Sequence, residues 1–337
     1  MTFRVLTVTN MYPCDDLPHY GTFVEEHVAA LRREGIGVDV FFTNPRLGRH
    51  RYVSELPRLA STLRDRRYDV VHAHHTYSAL QAIFARLIAR YFAPLVFTIH
   101  EGELHADRRN VCTGDLLKRL VYLKAPKRLA LNLSTAVVAV EPTLPAAAGY
   151  HGPFQVIPPA VDCDRFQPSD RLQARRLLGL PLEEPIVLFP ASPRRPEKGW
   201  SFFEEVRTLL DPSIHVVIGG GISRADMPLY INAADVVVQT SQFEASPMIV
   251  KEAMACDTAI VSTDVGDVAT LFGATPGYFC VPRDVRSFAR AVEDALASPS
   301  SAHGRYRLLS LGLSPEAVAR RYIAIYTSLI ERRNRAL

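Results

Sequence analysis

The sequence lacks the features that mark several common classes of protein. Its five cysteines are far apart and include no Cys-x-x-Cys pair, which argues against a disulfide framework and against a zinc site. The apolar run at the N-terminus is too short for a secretory signal, and no window approaches the ~18 uninterrupted apolar residues of a membrane span. We therefore expect a cytoplasmic protein with reduced thiols and no membrane-crossing segment.

An excess of charge of one sign is also absent. The 39 Lys and Arg residues nearly balance the 35 Asp and Glu residues, and the net charge is only +4. This balance gives no support for nucleic acid as a partner. Hydrophobic residues make up 48% of the chain and charged residues 22%, which is typical of a well-packed globular protein. The 337 residues exceed the roughly 250 to 300 at which single cores stop growing, so we expect two domains.

Short β-branched runs alternate with amphipathic helical patterns along the chain. Examples are "FRVLTVT", "YDVVHAH" and "APLVFTIH" in the first half, and "EEPIVLFP", "ADVVVQT" and "TAIVST" in the second. This alternation predicts an α/β fold with two doubly wound parallel sheets, and a proline-rich and polar stretch near 158–184 divides them into two domains facing a cleft. The last segment, "SPEAVARRYIAIYTSLIERRNRAL", is predicted to be a helix that could pack on either domain.

Ligands of such sheets bind beyond the carboxyl ends of the strands. A dinucleotide site of the dehydrogenase type has little support there, because the loop "NMYPCDDLPHYGTFVEE" offers only Gly21 and "IGGGISRAD" does not complete Gly-x-Gly-x-x-Gly. A better candidate is the stretch "QTSQFEASPMIVKEAMACDTAIVST" at residues 239–263, in which a strand pattern is followed by a helix pattern.

The loop "SQFEASP" within this stretch predicts an anion site. Ser246 is a favourable N-cap and Pro247 a favourable first helical residue, so the helix is expected to begin there. The N–H groups of Met248 and Ile249 would then be unpaired at the positive end of the helix, where phosphate binds readily.

Glu244 and Glu252 lie on either side of this helix start. Glu252 is expected roughly 6 to 8 Å along the helix from the first free N–H groups, so one sugar nucleotide could reach both acids, with its phosphates between them. The alternative is a solvated Glu244 and a Glu252 that pairs with a neighbour. A second helix start, "ASPRRPEKGW", offers Arg194, Arg195 and Lys198 to a diphosphate leaving group, although a solvated basic turn would look the same.

Taken together, these segments resemble the retaining GT-B glycosyltransferases of family 4. "EASPMIVKEAMAC" is similar to their Glu-x7-Glu signature, "RPEKGW" to their Glu-Lys-Gly turn and "STDVGDV" to the segment after the signature. "GTFVEEHVAAL", "DVVHAH", "TIHE" and "VIPPAVDCDRFQP" match in the same order, so the resemblance spans nearly the whole chain. It implies two Rossmann-like domains, with residues 1–160 binding the acceptor, residues 161–315 binding the nucleotide sugar, and a C-terminal helix at about 316–337 crossing back onto the first domain.

The resemblance also implies an activity and roles for individual residues. Glu244 would contact the donor sugar and Glu252 the ribose, while Lys198 and a nearby arginine would bind the diphosphate. Gly21 would let the backbone approach that diphosphate, and His100 would line the reaction centre. The enzyme would move a sugar from a UDP- or GDP-sugar to a hydroxyl of a glycan, lipid-linked or small-molecule acceptor, with retention of configuration and without a metal or other cofactor.

Several positions depart from the family pattern. Ala245 and Asp257 replace glycines, Pro193 stands where an arginine is expected, and Pro159 and Ala160 replace an Asn-Gly pair. The Cβ of Ala245 would be strained if the loop required a positive φ. These departures keep open a catalytically impaired protein that binds a sugar nucleotide and acts as a regulator. A nucleotide-sugar epimerase is a further alternative.

Two further features concern metals and membranes. His72, His74 and His75 in "VVHAHHTY" have no accompanying carboxylate motif, so we expect structural or acceptor-lining histidines rather than a metal site. Residues 105–131 carry seven Lys or Arg and two Asp among Leu, Val and Tyr. This region is a candidate for peripheral contact with anionic lipid at the inner face of a membrane, or else a solvated helix with its leucine face on the core.

Overall fold

The computed structural model describes residues 3–16, 20–101, 104, 123–297 and 303–336. The chain divides into two compact units, each built on one parallel sheet. The first unit comprises Met1–Ala160 and Pro315–Leu337, and the second comprises Val161–Ser314. The predicted α/β fold with two parallel sheets is confirmed.

The first unit contains a sheet of six described strands, all parallel to their neighbours. They are β1 (Arg4–Thr9), β2 (Gly37–Phe42), β3 (Val70–His74), β4 (Leu95–Ile99), β5 (Ala136–Ala139) and β6 (Gln155–Val156). Their order is β2-β1-β3-β4-β5-β6. β3 and β4 are buried along their full length, as expected of central strands covered by helices on both faces.

Helices cover this sheet and close its core. They are Thr22–Arg33, Arg51–Ser54, Leu56–Arg66, Thr76–Ala89, Lys124–Leu133, Leu144–Ala147 and Pro315–Ala336, with a short 3-10 turn at Pro45–Leu47. The last helix packs against the first, and its Tyr326 hydroxyl lies 2.7 Å from His72 Nδ1. The C-terminal segment therefore completes the core of the first unit.

The second unit contains a sheet of five described strands, again parallel throughout. They are β7 (Ile186–Phe189), β8 (His215–Ile218), β9 (Val236–Gln239), β10 (Ala259–Thr263) and β11 (Tyr278–Val281). Their order is β11-β10-β9-β7-β8, so the direction of strand addition reverses between β7 and β9. In open α/β sheets such a reversal is where ligands bind.

Helices of the second unit pack on both faces of that sheet. They are Arg171–Leu178, Trp200–Arg207, Met227–Ala233, Met248–Ala255, Val268–Phe272, Val285–Ala297 and Gly304–Ser310, with a 3-10 turn at Pro196–Lys198. One hydrophobic cluster of the core combines Val, Leu and Ala side chains with buried aromatic rings, among them Phe189, Phe203 and Phe288. Within the described residues, no helix of either unit has the length and apolar character needed to cross a membrane.

Candidate active site

A loop at the carboxyl edge of the second sheet joins β9 to the next helix. Residues 240–247 form this connection, as predicted, but the helix Met248–Ala255 begins one residue later than expected. Pro247, not Ser246, is the N-cap, because Pro247 has an extended backbone with a ψ of 120°. The Ser246 hydroxyl therefore does not cap the helix; it donates a hydrogen bond to Asp267 Oδ2 at 2.5 Å.

The start of this helix adjoins a cavity of about 200 Å³. Met248 and Ile249 are its first two residues, so their N–H groups have no acceptor within the helix and can receive an anion. Ile249 lines the cavity, together with the carboxyl ends of β7 and β9. The cavity therefore lies at the reversal in strand order.

Glu244 in the loop forms an ion pair with Lys198. It also accepts a hydrogen bond from Ser241 Oγ at 3.1 Å. Lys198 belongs to the turn that follows β7, and the Thr240 hydroxyl fixes this turn by donating to the Lys198 carbonyl at 2.8 Å. Because the two connections meet at one sheet edge, a carboxylate and an ammonium group that are 46 residues apart in sequence come into contact.

Glu252, the second predicted acid, is buried on the same helix and lines the cavity. Its Oε1 lies 3.4 Å from Nη1 of Arg224, a residue of the "IGGGISRAD" segment. The neighbour that could pair with Glu252 is thus Arg224, and this pairing keeps Glu252 at the cavity wall. Both acids of the signature thus have a cation beside them, Lys198 for Glu244 and Arg224 for Glu252.

The predicted basic turn contributes unequally to the cavity. Lys198 and Arg195 line it, and Arg195 Nε also donates to Glu197 Oε1 at 2.7 Å. Arg194 is exposed and does not belong to the described lining of this cavity. Of the two arginines considered from the sequence, only Arg195 is positioned beside Lys198.

The structure bears on two of the departures from the family pattern, Ala245 and Asp257. Ala245 is buried, and its φ is not positive, since the described non-glycine residues with positive φ are Arg67, His75, Arg90 and Asp257. The expected strain at Ala245 is therefore absent. Asp257 does adopt the left-handed conformation that a glycine would favour, with a φ of 52°, which aspartate tolerates better than most residues.

At the carboxyl edge of the first sheet, Gly21 precedes the helix Thr22–Arg33. Its φ is 73°, and a Cβ there would lie 2.3 Å from the backbone carbon of Met11. The short distance to the Met11 backbone requires glycine at position 21, whether or not Gly21 also contacts a ligand. The contact of Gly21 with a diphosphate stays a prediction.

His100 follows β4 at the same edge and belongs to a group of stacked imidazoles. Its Nε2 lies 3.0 Å from His74 Nδ1, and its ring also packs against His75 and Phe23. Its backbone N–H donates to Glu101 Oε2 at 2.9 Å. The ring is thus held from three sides, as a residue that must present one nitrogen in a fixed direction would be.

Glu101 anchors this group. It is buried, and its Oε1 accepts a hydrogen bond from the N–H of Thr76 at 2.6 Å, at the start of the helix Thr76–Ala89. Burial raises the pKa of Glu101, but His75, Lys127 and the Thr76 hydrogen bonds prevail and hold that pKa below its usual value. His75 has φ 70° and ψ 152°, a conformation found almost only for glycine, which marks local strain beside the group.

Three histidines of the first unit approach one another closely enough to be considered as metal ligands. Ring nitrogens of His27, His72 and His74 lie within 4.8 Å of one another. However, His72 uses both nitrogens, because Nε2 lies 2.8 Å from Thr98 Oγ1 and Nδ1 lies 2.7 Å from the Tyr326 hydroxyl. While these bonds hold, His72 has no nitrogen for a metal ion. The absence of a metal requirement stays a prediction.

Sequence reasoning missed several polar residues at these two edges. They are His27, Glu101, Arg224, Lys251 and Asp267. Weak signals existed for two of them, since Glu101 directly follows His100 at a strand end and Arg224 follows β8. For His27, Lys251 and Asp267 the sequence pattern gave no sign of a role, because their partners approach them only in the folded chain.

Solved structures share this fold. Sucrose-phosphate synthase from Thermosynechococcus elongatus superimposes with a TM-score of 0.79 at 19% identity, and the match covers 98% of this chain and 99% of that one. HepE from Anabaena, in complex with UDP-glucose, gives a TM-score of 0.73 at 18% identity and covers 97% and 100%. At these identities the likeness shows the fold.

Two family models match the chain in turn. The model for Glycosyltransferase Family 4 matches residues 17–165, and the model for Glycosyl transferases group 1 matches residues 201–306. The chain is a GT-B glycosyltransferase. The matched ranges of this glycosyltransferase include Gly21 and His100 in the first and Glu244 and Glu252 in the second.

Relatives of this chain in sequence carry the names of glycosyltransferases. TuaC of Bacillus subtilis (strain 168), named for teichuronic acid biosynthesis, is 24% identical over 354 residues, which covers 86% of this chain and 88% of that protein. D-inositol 3-phosphate glycosyltransferase of Mycobacterium tuberculosis (strain F11) is 26% identical over 274 residues, or 71% of this chain and 56% of the relative. The resemblance inferred from the motifs is therefore confirmed at the level of a GT-B glycosyltransferase.

Proposed function

We propose that the glycosyltransferase moves a sugar from a UDP- or GDP-sugar to a hydroxyl of a glycan, lipid-linked or small-molecule acceptor, with retention of anomeric configuration and without a metal ion. The observation that carries this proposal is the contact between Lys198 and Glu244 beside the cavity. It joins a cation suited to a diphosphate with an acid suited to sugar hydroxyls.

Binding of the donor would change the partners of this pair. The diphosphate takes the place of Glu244 at the Lys198 ammonium, with Arg195 and the N–H groups of Met248 and Ile249 as its other contacts. The Glu244 carboxylate is then released to accept hydrogen bonds from the sugar. These groups neutralise the charge that develops on the diphosphate as the glycosidic bond breaks, which is the task that a metal ion performs in other transferases.

The ribose would be bound beside Glu252. This residue lines the cavity and has Arg224 beside it, so its carboxylate is held in place to accept from the ribose hydroxyls. UDP-glucose is bound by the Anabaena protein of the same fold, which supports a uridine nucleotide among the donors to be tested.

The first unit would bind the acceptor and contribute one catalytic residue. His100 presents a ring fixed by His74 and by the Glu101 hydrogen bond, and in this proposal it lies against the transferred sugar. An oxygen of the leaving diphosphate takes the proton of the acceptor hydroxyl. The hydroxyl therefore attacks the sugar from the face that the diphosphate leaves, and attack on this face retains the anomeric configuration.

A thermal-shift panel of UDP, GDP, ADP, TDP and their sugars tests the donor class. A ligand that binds only the native state stabilises it by about 2.7 kcal/mol at 100 times its Kd, so the correct nucleotide should raise the melting temperature. Transfer from the sugar nucleotide that binds should continue in EDTA, and NMR of the product should show the anomeric configuration of the donor. No shift with any nucleotide would contradict the proposal, and loss of activity in EDTA would contradict its metal-free part.

We further propose that the first unit contacts anionic lipid at the inner face of the membrane, which would bring a lipid-linked acceptor to the enzyme. Four large apolar side chains along the helix Thr76–Ala89 and just after it are 50 to 68% exposed: Phe84, Leu87, Ile88 and Phe92. The helix Lys124–Leu133 packs beside it and exposes Leu129 and Leu133. Such clusters of exposed apolar side chains mark interaction surfaces.

Charge favours lipid as the occupant of this surface. Arg90, Lys124 and Arg128 are exposed in segments 76–92 and 124–133, and neither segment contains an acidic residue. A basic surface with apolar side chains binds anionic headgroups and inserts its apolar groups at their level. Most of the region proposed from the sequence, residues 105–122, lies outside the described residues, so the support comes from these two helices.

Sedimentation with lipid vesicles tests this contact. We expect binding to vesicles of phosphatidylcholine with phosphatidylglycerol, weaker binding as salt rises, and no binding to phosphatidylcholine alone. The double substitution Ile88→Glu and Phe92→Glu should abolish it. Leu209→Glu, at a leucine of the second unit that is 49% exposed, is the control and should bind as the wild type does. Equal binding by the double variant would rule this surface out.

A further inference from the structure

A lysine is fully buried in the helix Met248–Ala255, next to Glu252. The Lys251 side chain has no exposed surface. Lysine is almost never found at this depth without a partner, because its ammonium group loses its hydration there. Burial lowers the pKa of Lys251, and the nearby carboxylates of Asp267 and Glu252 act in the opposite direction. The proposed donor chemistry makes no use of this residue.

The partners of Lys251 belong to two different loops. Its Nζ donates a hydrogen bond to Ser246 Oγ at 2.5 Å, and the Ser246 hydroxyl donates in turn to Asp267 Oδ2 at 2.5 Å. Nζ also lies 3.9 Å from Asp267 Oδ2. A hydroxyl has one hydrogen, so Ser246 accepts from the lysine and donates to the aspartate, which fixes the direction of the chain of bonds.

The backbone joins the same two loops a second time. The N–H of Asp267 donates to the Ala245 carbonyl at 3.1 Å. Gly266 has a φ of 56°, and a Cβ there would lie 2.2 Å from the Ala245 carbonyl oxygen, so the two chains are in direct contact. Residues 245 and 246 are therefore bound to 266 and 267 through both main chain and side chains.

We propose that Lys251 is a positioning residue for the donor loop: through Ser246 and Asp267 it holds the segment that carries Glu244 at one end and the first free N–H groups of the helix at the other. This proposal rests on the proposed function. Glu244 precedes the held segment by one residue, and Met248 follows it by two. A shift of this segment would move the acid and the N–H groups together.

The charge of Lys251 matters to this role more than its volume. A methionine would fill nearly the same space, but it removes only one member of a buried ion pair, and such a change is destabilising because the other charge stays buried. A methionine would also leave the Ser246 hydroxyl without its donor and Asp267 without its cation.

Lys251→Met and Ser246→Ala, singly and together, test the proposal. In the enzyme without substrate, hydrogen exchange of the amides in residues 244–249 should become about tenfold faster in each variant, while exchange in β7 and β9 is unchanged. In transfer assays kcat should fall by about tenfold to a hundredfold, because small displacements of reacting groups have effects of this size. The double variant should lose no more than the worse single one, because both changes break one chain of bonds.

Met254→Ala is the control for a loss of packing alone. Met254 is fully buried on the same helix and has no hydrogen bond to the loop, so its truncation should destabilise the unit and leave loop exchange and kcat near wild-type values at temperatures where the variant is folded. Additive losses in the double variant, or unchanged exchange of residues 244–249 in Lys251→Met, would overturn the proposal. If the wild type neither binds a nucleotide nor transfers a sugar, the proposed function fails, and the exchange measurement still decides whether Lys251 holds the loop.

Discussion

The carboxyl edges of the two sheets carry different chemistry on the same architecture. In the first unit the edge is built from imidazole rings, with His100 in contact with both His74 and His75. In the second unit it is built from carboxylates beside cations, among them Glu244 with Lys198. Of the 11 histidines in the chain, only two, at 215 and 303, belong to the second unit.

The difference follows from how each kind of group responds to burial. Burial lowers the pKa of His72 and His74 well below the usual value, so these rings are neutral at physiological pH. Lys198 and Glu244 instead form an ion pair at the edge of the second sheet, where a charged ligand can exchange with one partner. A neutral edge suits the hydroxyls of an acceptor, and a charged edge suits the diphosphate of a donor.

The sharpest test of this contrast removes each of two charged groups of the second unit and one imidazole ring of the first, in separate variants. Lys198→Met should weaken UDP or GDP binding and lower kcat by about 10² to 10³, the size seen when one group that stabilises developing charge is lost. Glu244→Gln should lower kcat by a similar factor with less effect on nucleotide affinity. His100→Ala should lower transfer but leave nucleotide affinity unchanged, as measured by calorimetry.

Glu204→Gln provides the matched control. This glutamate is exposed on the helix Trp200–Arg207, close in sequence to Lys198, and its neutralisation changes the net charge as Glu244→Gln does. It should bind nucleotide and transfer sugar as the wild type does. The contrast between the units would break down if His100→Ala weakened nucleotide binding as much as Lys198→Met.

Much of this arrangement could be predicted from sequence, and what could not be predicted has a common cause. The alternation of β-branched runs and amphipathic helices predicted both sheets, since it reflects local periodicity. The loop of Glu244 was likewise predicted from a strand pattern followed by a helix pattern. The predicted helix start was wrong by one residue, because Pro247 is extended and the Ser246 hydroxyl bonds to Asp267, a residue distant in sequence, instead of capping the helix.

Lys251 and Arg224 show what local patterns cannot supply. A lysine in an amphipathic helix is usually exposed, and nothing near Lys251 in the sequence indicates that Asp267 will approach it. Arg224 lies 28 residues before Glu252 and meets it only once β8 and β9 have been added on either side of β7. Partners from separate crossover connections depend on the folded sheet, so single-sequence reasoning finds the groups and not their pairs.

A smaller effect, on stability, should distinguish the units in acid. Burial lowers the pKa of His27 to about 4, and His72 and His74 are also lowered, whereas the same groups titrate near 6.5 when the chain is unfolded. As the pH falls below about 6.5, the unfolded state therefore takes up protons before the folded state does, and the free energy of unfolding of the first unit falls. For His27 alone the loss reaches about 3 kcal/mol at pH 4.

Hydrogen exchange of β3 and β9 between pH 7 and 4, corrected for the intrinsic rate, compares the stability of the two units. Trp200 is the single tryptophan of the chain, and its fluorescence reports on the unfolding of the second unit. Protection of β3 should fall with pH more steeply than protection of β9. His27→Phe keeps a ring against Tyr322 and removes one proton-binding site, so it should flatten the pH dependence of β3 protection. An unchanged slope in this variant would mean that the neutral imidazoles do not set the acid stability of the first unit, and that the contrast between the two edges concerns ligands only.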